Sequence, residues 1–475
     1  MYSDTQLFIA GEWVEGAANR RLGVINPATE ETIGTVACAE VADLEMAVAA
    51  ADDGFKKWSG MSAFDRSEIM LQAARLLKER AGDIGQSLTL EQGKIQAEAK
   101  FEPMRAAGEL EWAAGEARRA YGRVIPARNP NATVLTTRNA LGPVALFSPW
   151  NFPLNQLARK LAPALAAGCS VVAKAPEETP ASPAALVQAL HDAGLPPGVV
   201  NLVFGEPANI SDYLIKHPSI RKISFTGSVA VGKQLSALAG AHMKRSTMEL
   251  GGHAPVIVCK DADVDLAVEQ MARIKPFNCG QTCAAPNRLI IHEDLYDRFV
   301  TAFSSRFAKI RVGDGMSEDT QMGPLANIRR LKMMESFCAD ALRKGAKLTT
   351  GGQRIGNKGY YFQPTVVEEA PEDAMVRQIE AFGPLIVATR FRELDEAIAE
   401  ANRLPYALAC YAYTRSIATA KRLATSVECG NLIANDVVLA LPEMPFGGMK
   451  ESGYGMEGGT EGIDAYLATR LLSFA

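Results

Sequence analysis

The stretch PVALFSPWNFPLNQLARKLAPALAAGCSVVAK, residues 143–174, contains a short apolar run, a longer amphipathic run and a second short apolar run. Val144–Phe147 has the length and composition of a buried strand, Leu154–Ala167 is typical of a helix, and Ser170–Ala173 is strand-like again. This order predicts a βαβ unit, in which two parallel strands share a sheet and the helix covers one face.

The same alternation continues along the chain. Strand-like runs followed by helix-like runs recur at Ser170–Ala173 and Ser182–Ala193, Val199–Phe204 and Ile210–Lys216, and Ile223–Thr226 and Val231–Ala239. A second series begins at Pro255–Val258 and continues through Arg288–Ile291, Leu295–Phe307, Ile386–Phe391 and Leu394–Asn402. We therefore predict an α/β fold with two open parallel-sheet domains of the Rossmann type.

Two segments fall outside this alternation. Gly122–Asn139 is rich in Arg, Pro, Asn and Thr and alternates in polarity from Thr133, which predicts a projecting hairpin. The tail Ala465–Ala475 is a candidate for a further strand. Because unpaired strand edges are a liability, we expect a homo-oligomer in which the tail pairs across subunits.

The composition limits the function classes. The chain has 475 residues, of which 48% are hydrophobic and 22% are charged, and its net charge is −4. No basic stripe is visible, so nucleic acid is not an expected partner. The N-terminus does not resemble a secretion signal, and the apolar runs are too short to cross a membrane. Eight scattered cysteines suit a reducing cytoplasm.

One cysteine stands in a distinctive context. Residues 277–284 are FNCGQTCA, which places Cys283 directly after Gly-Gln-Thr. The thiolate is the reactive form of cysteine and needs a shaped polar pocket, so Cys283 is the candidate nucleophile. The alternative is a buried inert thiol. Cys279 is either a redox partner or, as we favour, a packing residue.

Two further polar residues complete a candidate site. Glu249 is followed by Leu250 and two glycines, a tight and partly apolar context that favours a raised pKa and a role as base. Asn151 offers an amide that can stabilise an oxyanion. The alternatives are a solvated or paired carboxylate and an Asn that caps a turn. A nucleophile, a base and an oxyanion donor together suit chemistry at a carbonyl.

Residues 227–233 are GSVAVGK, which has the spacing of a phosphate-binding loop. Such a loop needs Ser or Thr next, to hold magnesium, whereas this chain has Gln234. An ATPase is therefore disfavoured. A glycine-opened helix N-terminus after a strand still suits a pyrophosphate group.

These segments together resemble the NAD(P)-dependent aldehyde dehydrogenase superfamily, and succinate-semialdehyde dehydrogenases in particular. The resemblance covers almost the whole chain and departs from the family at Pro276, where an aromatic residue is usual. The matching segments, in family order, are Ser148–Pro153, Lys174 with Glu177, Phe225–Ser228, Glu249–Gly252, Gly280–Cys283, Glu380–Pro384 and Pro445–Gly448.

The resemblance implies a role for each catalytic residue. Cys283 would attack the aldehyde carbon, and Asn151 with the Cys283 backbone N–H would hold the oxyanion of the thiohemiacetal. Glu249 would take a proton from Cys283 or from the water that hydrolyses the thioester. Lys160 would support Asn151, unless it is a solvated lysine. The resemblance assigns no metal.

The resemblance also implies a cofactor site. Lys174 and Glu177 would bind the adenosine ribose, and Gly227 with Ser228 would bind the pyrophosphate. We expect NAD to be preferred, because the Glu177 carboxylate would repel a 2′-phosphate, with NADP possible because Lys174 would attract it. The nicotinamide end would be held by Glu380 and Phe382, with Trp150 nearby unless it packs in the core.

Arg159 and Phe277 are the candidate substrate residues. Arg159 matches an arginine that binds the distal carboxylate in succinate-semialdehyde dehydrogenases, and such a pair suits an anionic aldehyde. Those enzymes have a second arginine where this chain has Phe277, and the loop Val437–Leu441 is apolar where they offer a serine. We expect a small acidic semialdehyde such as succinate semialdehyde. The alternatives are a general aliphatic or aromatic aldehyde, with Arg159 in a surface ion pair.

The resemblance predicts the domain organisation as well. Residues 1–120 and 142–251 would form the cofactor-binding domain, 252–442 the catalytic domain, and 121–141 with 456–475 an oligomerisation arm of a homodimer or homotetramer.

Two rival functions stay open. A cysteine hydrolase would want a histidine partner in a recognisable motif, and a non-catalytic protein of this fold would typically lose Cys283 or Glu249.

Overall fold

A computed structural model describes residues 2–475. The strands are β1 (Leu7–Ile9), β2 (Glu12–Val14), β3 (Arg21–Ile25), β4 (Thr32–Ala37), β5 (Val124–Ile125), β6 (Thr133–Ala140), β7 (Val144–Phe147), β8 (Val171–Lys174), β9 (Val200–Val203), β10 (Lys222–Gly227), β11 (Arg245–Leu250), β12 (Pro255–Val258), β13 (Arg288–His292), β14 (Lys347–Thr350), β15 (Thr365–Glu368), β16 (Leu385–Phe391), β17 (Tyr406–Ala407), β18 (Ala409–Tyr413), β19 (Asn431–Ala434), β20 (Met449–Lys450), β21 (Gly453–Tyr454) and β22 (Leu467–Phe474).

The helices are α1 (Val41–Gly60), α2 (Ala63–Glu79), α3 (Ala81–Gln92), α4 (Gln96–Ala117), α5 (Pro153–Ala167), α6 (Ala181–Asp192), α7 (Pro207–Lys216), α8 (Val229–Ala241), α9 (Val264–Ile274), α10 (Glu293–Phe307), α11 (Ile328–Arg343), α12 (Met375–Gln378), α13 (Leu394–Asn402), α14 (Ile417–Ser426) and α15 (Gly459–Asp464). None of them, within residues 2–475, combines the length and the apolar character needed to cross a membrane.

The first sheet confirms the βαβ prediction. Its eight strands lie in the order β2-β1-β9-β8-β7-β10-β11-β21, and the five from β9 to β11 are parallel. Helix α5 connects β7 to β8, and all of its residues are buried because it packs between the sheet and α4. Polar side chains on α5 therefore need partners inside the protein.

The second sheet is also mainly parallel. Its order is β14-β15-β16-β13-β12-β18-β19, and only β14 runs antiparallel to its neighbour. The inner strands β12, β13 and β18 are buried on both faces, as expected for a sheet covered by helices on each side. The predicted α/β class with two open parallel sheets is confirmed. The domain boundaries stay a prediction, although β21 shows that the chain returns to the first sheet after leaving the second.

The site residues are brought together at the carboxyl ends of the parallel strands. Strand β7 ends just before Asn151, and β11 carries Glu249 next to its last residue. Thr226 on β10 pairs with Glu249, and Phe225 pairs with Phe147 at the end of β7. Open α/β sheets bind ligands at this edge, because the loops that leave neighbouring strands meet there.

The arm is a three-stranded antiparallel sheet in the order β22-β6-β5. The predicted hairpin is confirmed by β5 and β6. The tail forms the predicted strand, β22, whereas its pairing across subunits stays a prediction. Strand β22 pairs along its whole length with β6 of its own chain, from Leu467 opposite Ala140 to Phe474 opposite Thr133. The segment before β22, including α15, packs on α4 and α5.

Candidate active site

Cys283 follows a tight turn with an unusual backbone. The 3-10 turn Phe277–Gly280 contains three successive residues of positive φ, which are Asn278 (51°), Cys279 (56°) and Gly280 (70°). Residues other than glycine are rarely found in this conformation. At Gly280 a side chain is also excluded, because a Cβ atom would lie 2.2 Å from Gly383 O. The loop is therefore held in place by surrounding contacts.

Asn278 supplies many of these contacts. Its backbone N–H donates to Glu98 Oε2 at 3.0 Å, and Gln92 Nε2 donates to its Oδ1 at 2.9 Å. Its own Nδ2 donates to Asn151 O at 2.8 Å and to Gln281 O at 3.2 Å. The side chain is 1% exposed, so these bonds are shielded from water. Asn278 thus ties the nucleophile loop to the residue predicted to hold the oxyanion.

The thiol of Cys283 is half-buried and close to two acidic groups. Burial, followed by the Glu249 and Glu380 carboxylates, raises the pKa of Cys283 well above its usual value. The resting thiol is therefore protonated at neutral pH and needs a base before it can act as a nucleophile. Cys279 is 2% exposed in an apolar cluster with Met334 and Leu385, which is the environment of a packing residue.

Glu249 has the properties of a proton-transfer group. The residue is 2% exposed, and neither carboxylate oxygen has a hydrogen-bond partner among the described residues. Burial, with a smaller effect of the Glu457 carboxylate, raises the pKa of Glu249 to about 8. Gly252 lets the chain after β11 pass close to the nucleophile, since a Cβ atom there would lie 3.1 Å from Cys283 O. A buried carboxyl without partners beside a protonated thiol can exchange a proton near neutral pH.

The side-chain amide of Asn151 can donate both to the loop before Cys283 and to a ligand. Its Nδ2 donates to Gln281 O at 3.0 Å, two residues before Cys283. An amide nitrogen carries two N–H groups, so the second one is available to an oxyanion. The Asn151 carbonyl accepts from Lys94 Nζ at 3.0 Å as well as from Asn278. The residue is thus fixed by its backbone while one side-chain donor stays unused.

The prediction that Lys160 supports Asn151 needs a correction. Lys160 is fully buried in the third turn of α5 and donates to Thr226 Oγ1 at 2.6 Å and to the Glu457 carboxylate. These partners belong to β10 and the C-terminal segment, and among the described residues Lys160 forms no hydrogen bond with Asn151. The lysine that contacts Asn151 is Lys94, whose charge is matched by Glu102 at 2.5 Å.

The guanidinium of Arg159 was expected to be available to a substrate, but the structure shows it bonded to protein groups. It is 3% exposed and forms an ion pair with Glu109 Oε1 at 3.0 Å, and its Nε lies 3.8 Å from Glu457 Oε2. The guanidinium donates to Ala440 O at 2.8 Å and Met444 O at 3.4 Å. Since α5 is enclosed on all sides, its arginine is held by protein groups. This is a buried ion pair rather than the surface pair that was the alternative.

Phe277 packs against the residue that follows Asn151. Its ring stacks on that of Phe152, with centroids 5.8 Å apart and an interplanar angle of 20°. Both rings are partly exposed. An apolar aromatic surface therefore lies between the nucleophile loop and the start of α5.

The residues predicted for the adenosine end lie at the ends of two strands of the first sheet. Lys174 at the end of β8 pairs with Glu177 at 2.7 Å, and Glu177 Oε1 accepts from Gly205 N at 2.9 Å. Gly227 ends β10, and Ser228 caps α8, where its Oγ accepts from the Val231 N–H at 3.4 Å. Backbone N–H groups at a helix start suit phosphate oxygens.

The residues predicted for the nicotinamide end meet near Cys283. The rings of Trp150 and Phe382 are 5.6 Å apart in an edge-to-face arrangement. Glu380 Oε1 is buried without a partner, and burial raises the pKa of Glu380 to about 8. A buried carboxyl oxygen that lacks a donor fits a ribose hydroxyl, so these residues suit a dinucleotide. Among residues 2–475 there is no group of three or more His, Cys, Asp or Glu side chains arranged to hold a metal ion.

Several residues of the site were not predicted from sequence. Lys94, Glu102 and Glu457 form buried ion pairs beside Asn151 and Lys160. Asn278 anchors the nucleophile loop, and Arg105 lies on α4 near Arg159. Single charged residues normally face solvent, so their burial is not expected from sequence. Only Asn278, inside the FNCGQTCA segment, carried a local signal.

Comparison with known proteins gives the same assignment. The sequence model of the Aldehyde dehydrogenase family matches residues 13–472. The 4-(hydroxymethyl)benzenesulfonate dehydrogenase TsaD1 of Comamonas testosteroni is 46% identical over 100% of this chain and 99% of its own length. The mitochondrial succinate-semialdehyde dehydrogenase of Arabidopsis thaliana is 40% identical over 98% of this chain and 88% of its own. A crystal structure of an E. coli NADP dependent enzyme superimposes with a TM-score of 0.97 at 37% identity, over 99% of this chain and 98% of that one. The chain therefore belongs to the aldehyde dehydrogenase family.

Proposed function

We propose that this protein oxidises an aldehyde with a distal negative charge to the carboxylic acid, using NAD(P) and the thiol of Cys283. The observation that carries the chemistry is the buried Glu249 carboxyl without hydrogen-bond partners beside a protonated thiol and an unused amide donor of Asn151. A cysteine hydrolase would need an acid–base histidine, and Glu249 is the proton-transfer group of this site.

In the first half of the reaction, ionised Glu249 takes the proton of Cys283. The thiolate attacks the aldehyde carbon, a C–S bond forms, and the carbonyl oxygen becomes an oxyanion. The free N–H of Asn151 and the backbone N–H of Cys283 hold that oxyanion, and one such donor contributes roughly 3 kcal/mol to transition-state stabilisation. NAD(P), when bound, supplies the hydride acceptor that turns the thiohemiacetal into a thioester.

Before the second half, Glu249 releases the proton taken from Cys283 to solvent, and it then takes a proton from a water molecule. The resulting hydroxide attacks the thioester carbon, the C–S bond breaks, the acid leaves, and the Cys283 thiolate recovers a proton from Glu249. Residues that would hold the dinucleotide are Trp150, Lys174, Glu177, Gly227, Ser228, Glu380 and Phe382.

Two observations support an anionic substrate. TsaD1 is named for 4-(hydroxymethyl)benzenesulfonate, and the Arabidopsis thaliana relative is named for succinate semialdehyde. Each of these compounds has an acidic group besides the reacting carbon. In addition, the guanidinium groups of Arg105 and Arg159 both donate to Ala440 O, so two cations meet at the loop Val437–Leu441. Succinate semialdehyde and an acidic aromatic aldehyde are the two candidates, and the Phe152 and Phe277 rings favour the aromatic one.

The test is the growth of NADH absorbance with succinate semialdehyde and with butanal. A charge-assisted contact to a carboxylate contributes roughly 2–3 kcal/mol, so kcat/KM is expected to be on the order of 30- to 150-fold higher for the charged aldehyde. Cys283→Ser serves as the control and should bind NAD but show no turnover. Equal use of both aldehydes would make a general aldehyde dehydrogenase the better description.

We also propose that NAD is preferred over NADP. Glu177 neutralises Lys174 and has the negative charge that repels a 2′-phosphate. The E. coli structural relative is named as NADP dependent, so the comparison of kcat/KM for the two cofactors is a strict test. A higher value with NADP would overturn the assignment.

We further propose a homo-oligomer in a reducing cytoplasm, which suits eight unpaired thiols.

A further inference from the structure

Arg105 is a half-buried cation without an acidic partner. One N–H group on its Nη2 donates to Ala440 O at 3.0 Å, and its guanidinium forms no ion pair with any residue in 2–475. Burial, followed by the neighbouring Arg159 charge, lowers the pKa of Arg105, and the Glu109 and Glu102 carboxylates offset only part of that effect. Guanidinium groups that are partly removed from water are normally paired, so this one has spare capacity for an anion.

The carboxylates nearest to Arg105 along its helix are bound elsewhere. Helical spacing puts Glu102 and Glu109, at i−3 and i+4, next to Arg105 on α4. Glu102 pairs with Lys94 and accepts the backbone N–H groups of Leu154 and Asn155 at 3.0 and 3.1 Å. Glu109 pairs with Arg159 at 3.0 Å. Both carboxylates are bonded to other donors, so they offset the charge of Arg105 only in part.

The position of Arg105 connects it to the reacting centre. Glu102, one turn earlier on α4, contacts the first turn of α5, which begins two residues after Asn151. Ala440, the hydrogen-bond partner of Arg105, packs on the same apolar cluster as Cys283. Arg105 therefore lies one helical turn from the support of Asn151 and against the loop that shares a cluster with the nucleophile.

The side of the site next to the nucleophile is aromatic instead of charged. The partly exposed rings of Phe152 and Phe277 flank Asn151 and the turn before Gln281. The Nζ of Lys94 covers the Phe152 ring at 4.1 Å, but its charge is already matched by Glu102. The structure thus has an aromatic pair beside Asn151 and a guanidinium without an ion-pair partner on the neighbouring helix α4.

We infer that Arg105 binds the anionic substituent of the substrate and that the preferred substrate is an aromatic aldehyde with a carboxylate or sulfonate opposite the aldehyde group. A flat ring packs on Phe152 and Phe277 with little loss of conformational freedom, whereas a flexible chain must be ordered. Carboxylate and sulfonate oxygens both accept hydrogen bonds from a guanidinium. This inference rests on the proposed function, and it assigns Arg159 the role of positioning Ala440.

The experiment measures kcat/KM for benzaldehyde, 4-formylbenzoate, 4-formylbenzenesulfonate and succinate semialdehyde. The wild-type enzyme is expected to use at least one of the two charged aromatic aldehydes on the order of 10- to 100-fold better than benzaldehyde. Arg105→Leu should reduce this ratio to near one, mainly through KM, and Arg105→Lys should restore part of it. Arg75→Leu, at an exposed helical arginine, is the matched control and should leave the ratio unchanged.

A second measurement protects the test against a misfolded variant. Competitive inhibition by 4-methylbenzoate should weaken on the order of 10- to 100-fold in Arg105→Leu, while NAD binding shows that the protein is folded. If the wild type prefers charged aldehydes but Arg105→Leu keeps that preference, the inference fails and the proposed function stands. The inference also fails, while the proposed function stands, if the wild type prefers succinate semialdehyde over both charged aromatic aldehydes. If the wild type does not discriminate by charge at all, both fail.

Discussion

Glu249, the proposed base, is a carboxyl group whose environment should set the pH range of the reaction. Its pKa is raised to about 8 because burial disfavours the charged form, so the ionised base increases as the pH rises through that value. Turnover is therefore expected to increase between about pH 7 and 9, and Glu249→Gln should be slow and much less dependent on pH. The measurement is kcat against pH with saturating aldehyde and NAD.

Glu380 provides the control for this prediction, because its pKa is also raised to about 8 by burial. Glu380→Gln should weaken cofactor binding but keep the rise of kcat with pH. If Glu249→Gln retains the full pH dependence, Glu249 is not the base that limits turnover. If Glu249→Gln abolishes NAD binding instead, the role of Glu249 as the base is wrong as well.

Arg159 allows a prediction about stability. Arg159→Leu removes the cation that matches Glu109 in a buried pair at 3.0 Å, which leaves an uncompensated carboxylate. The free energy of unfolding should fall by about 3–5 kcal/mol, measured by urea denaturation. The double variant Arg159→Leu with Glu109→Leu should recover much of this loss, because replacing both charges by apolar groups removes the desolvation penalty. Equal stability of the single variant and the wild type would show that the pair is open to water.

At the scale of elements, the turn that carries Cys283 is defined by its anchors. Asn278 has a φ of 51° and is 1% exposed, and its amide bonds to Gln92, Asn151 and Gln281. Asn278→Gly keeps the conformation accessible but removes the amide, so kcat should fall by roughly 10- to 100-fold through misplacement of the nucleophile. The kcat of Asn278→Ala should fall by a similar factor, and this variant should be less stable than the glycine variant by about 1 kcal/mol.

Asn19 offers a matched control for this comparison, since it has the same φ of 51° at an exposed position remote from Cys283. Asn19→Gly should leave kcat unchanged. A wild-type kcat in Asn278→Gly would mean that backbone contacts alone hold the loop.

The elements that were predictable from sequence are those with local signals. The strands β7 to β10 and the helices between them follow apolar runs of characteristic length, and the motif residues Cys283, Glu249 and Asn151 meet at the carboxyl edge that a parallel sheet requires. Helices α1 to α4, at Val41–Ala117, carry no strand between them, so the alternation that revealed the sheets gave no prediction there.

The partners of charged side chains were not predictable. Lys160 and Arg159 are adjacent on α5, yet each is paired with a carboxylate from a distant segment, at Glu457 and Glu109. Such pairs depend on how helices and the C-terminal segment pack together, and sequence spacing reveals only pairs within one helix. The resemblance assigned roles to Lys160 and Arg159, whereas their contacts required the folded chain.

At the scale of the whole molecule, the arm leaves apolar surface and strand edges uncovered. Strand β22 is bonded to β6 on one side only, and it carries Leu471 and Phe474, which are 63% and 59% exposed. On the same arm Val124 is 83% exposed, and Tyr121, just before it, is 76% exposed. An eight-residue edge strand with apolar side chains is a template for pairing with another chain, so a single subunit would be prone to association.

We therefore expect a homodimer or homotetramer held through this arm, with β22 as an edge that another subunit covers. Leu471→Lys combined with Phe474→Lys puts two charges on that edge but leaves the backbone bonds to β6 intact, so the subunit should stay folded and lose its partner. Light scattering at micromolar concentration should then give the mass of one chain, against a multiple of it for the wild type. Ile417→Lys, at an apolar residue that is 75% exposed on α14, is the control and should not change the mass. A monomeric wild type would contradict the prediction, and a double variant that keeps its oligomeric mass would show that the subunits meet at another surface.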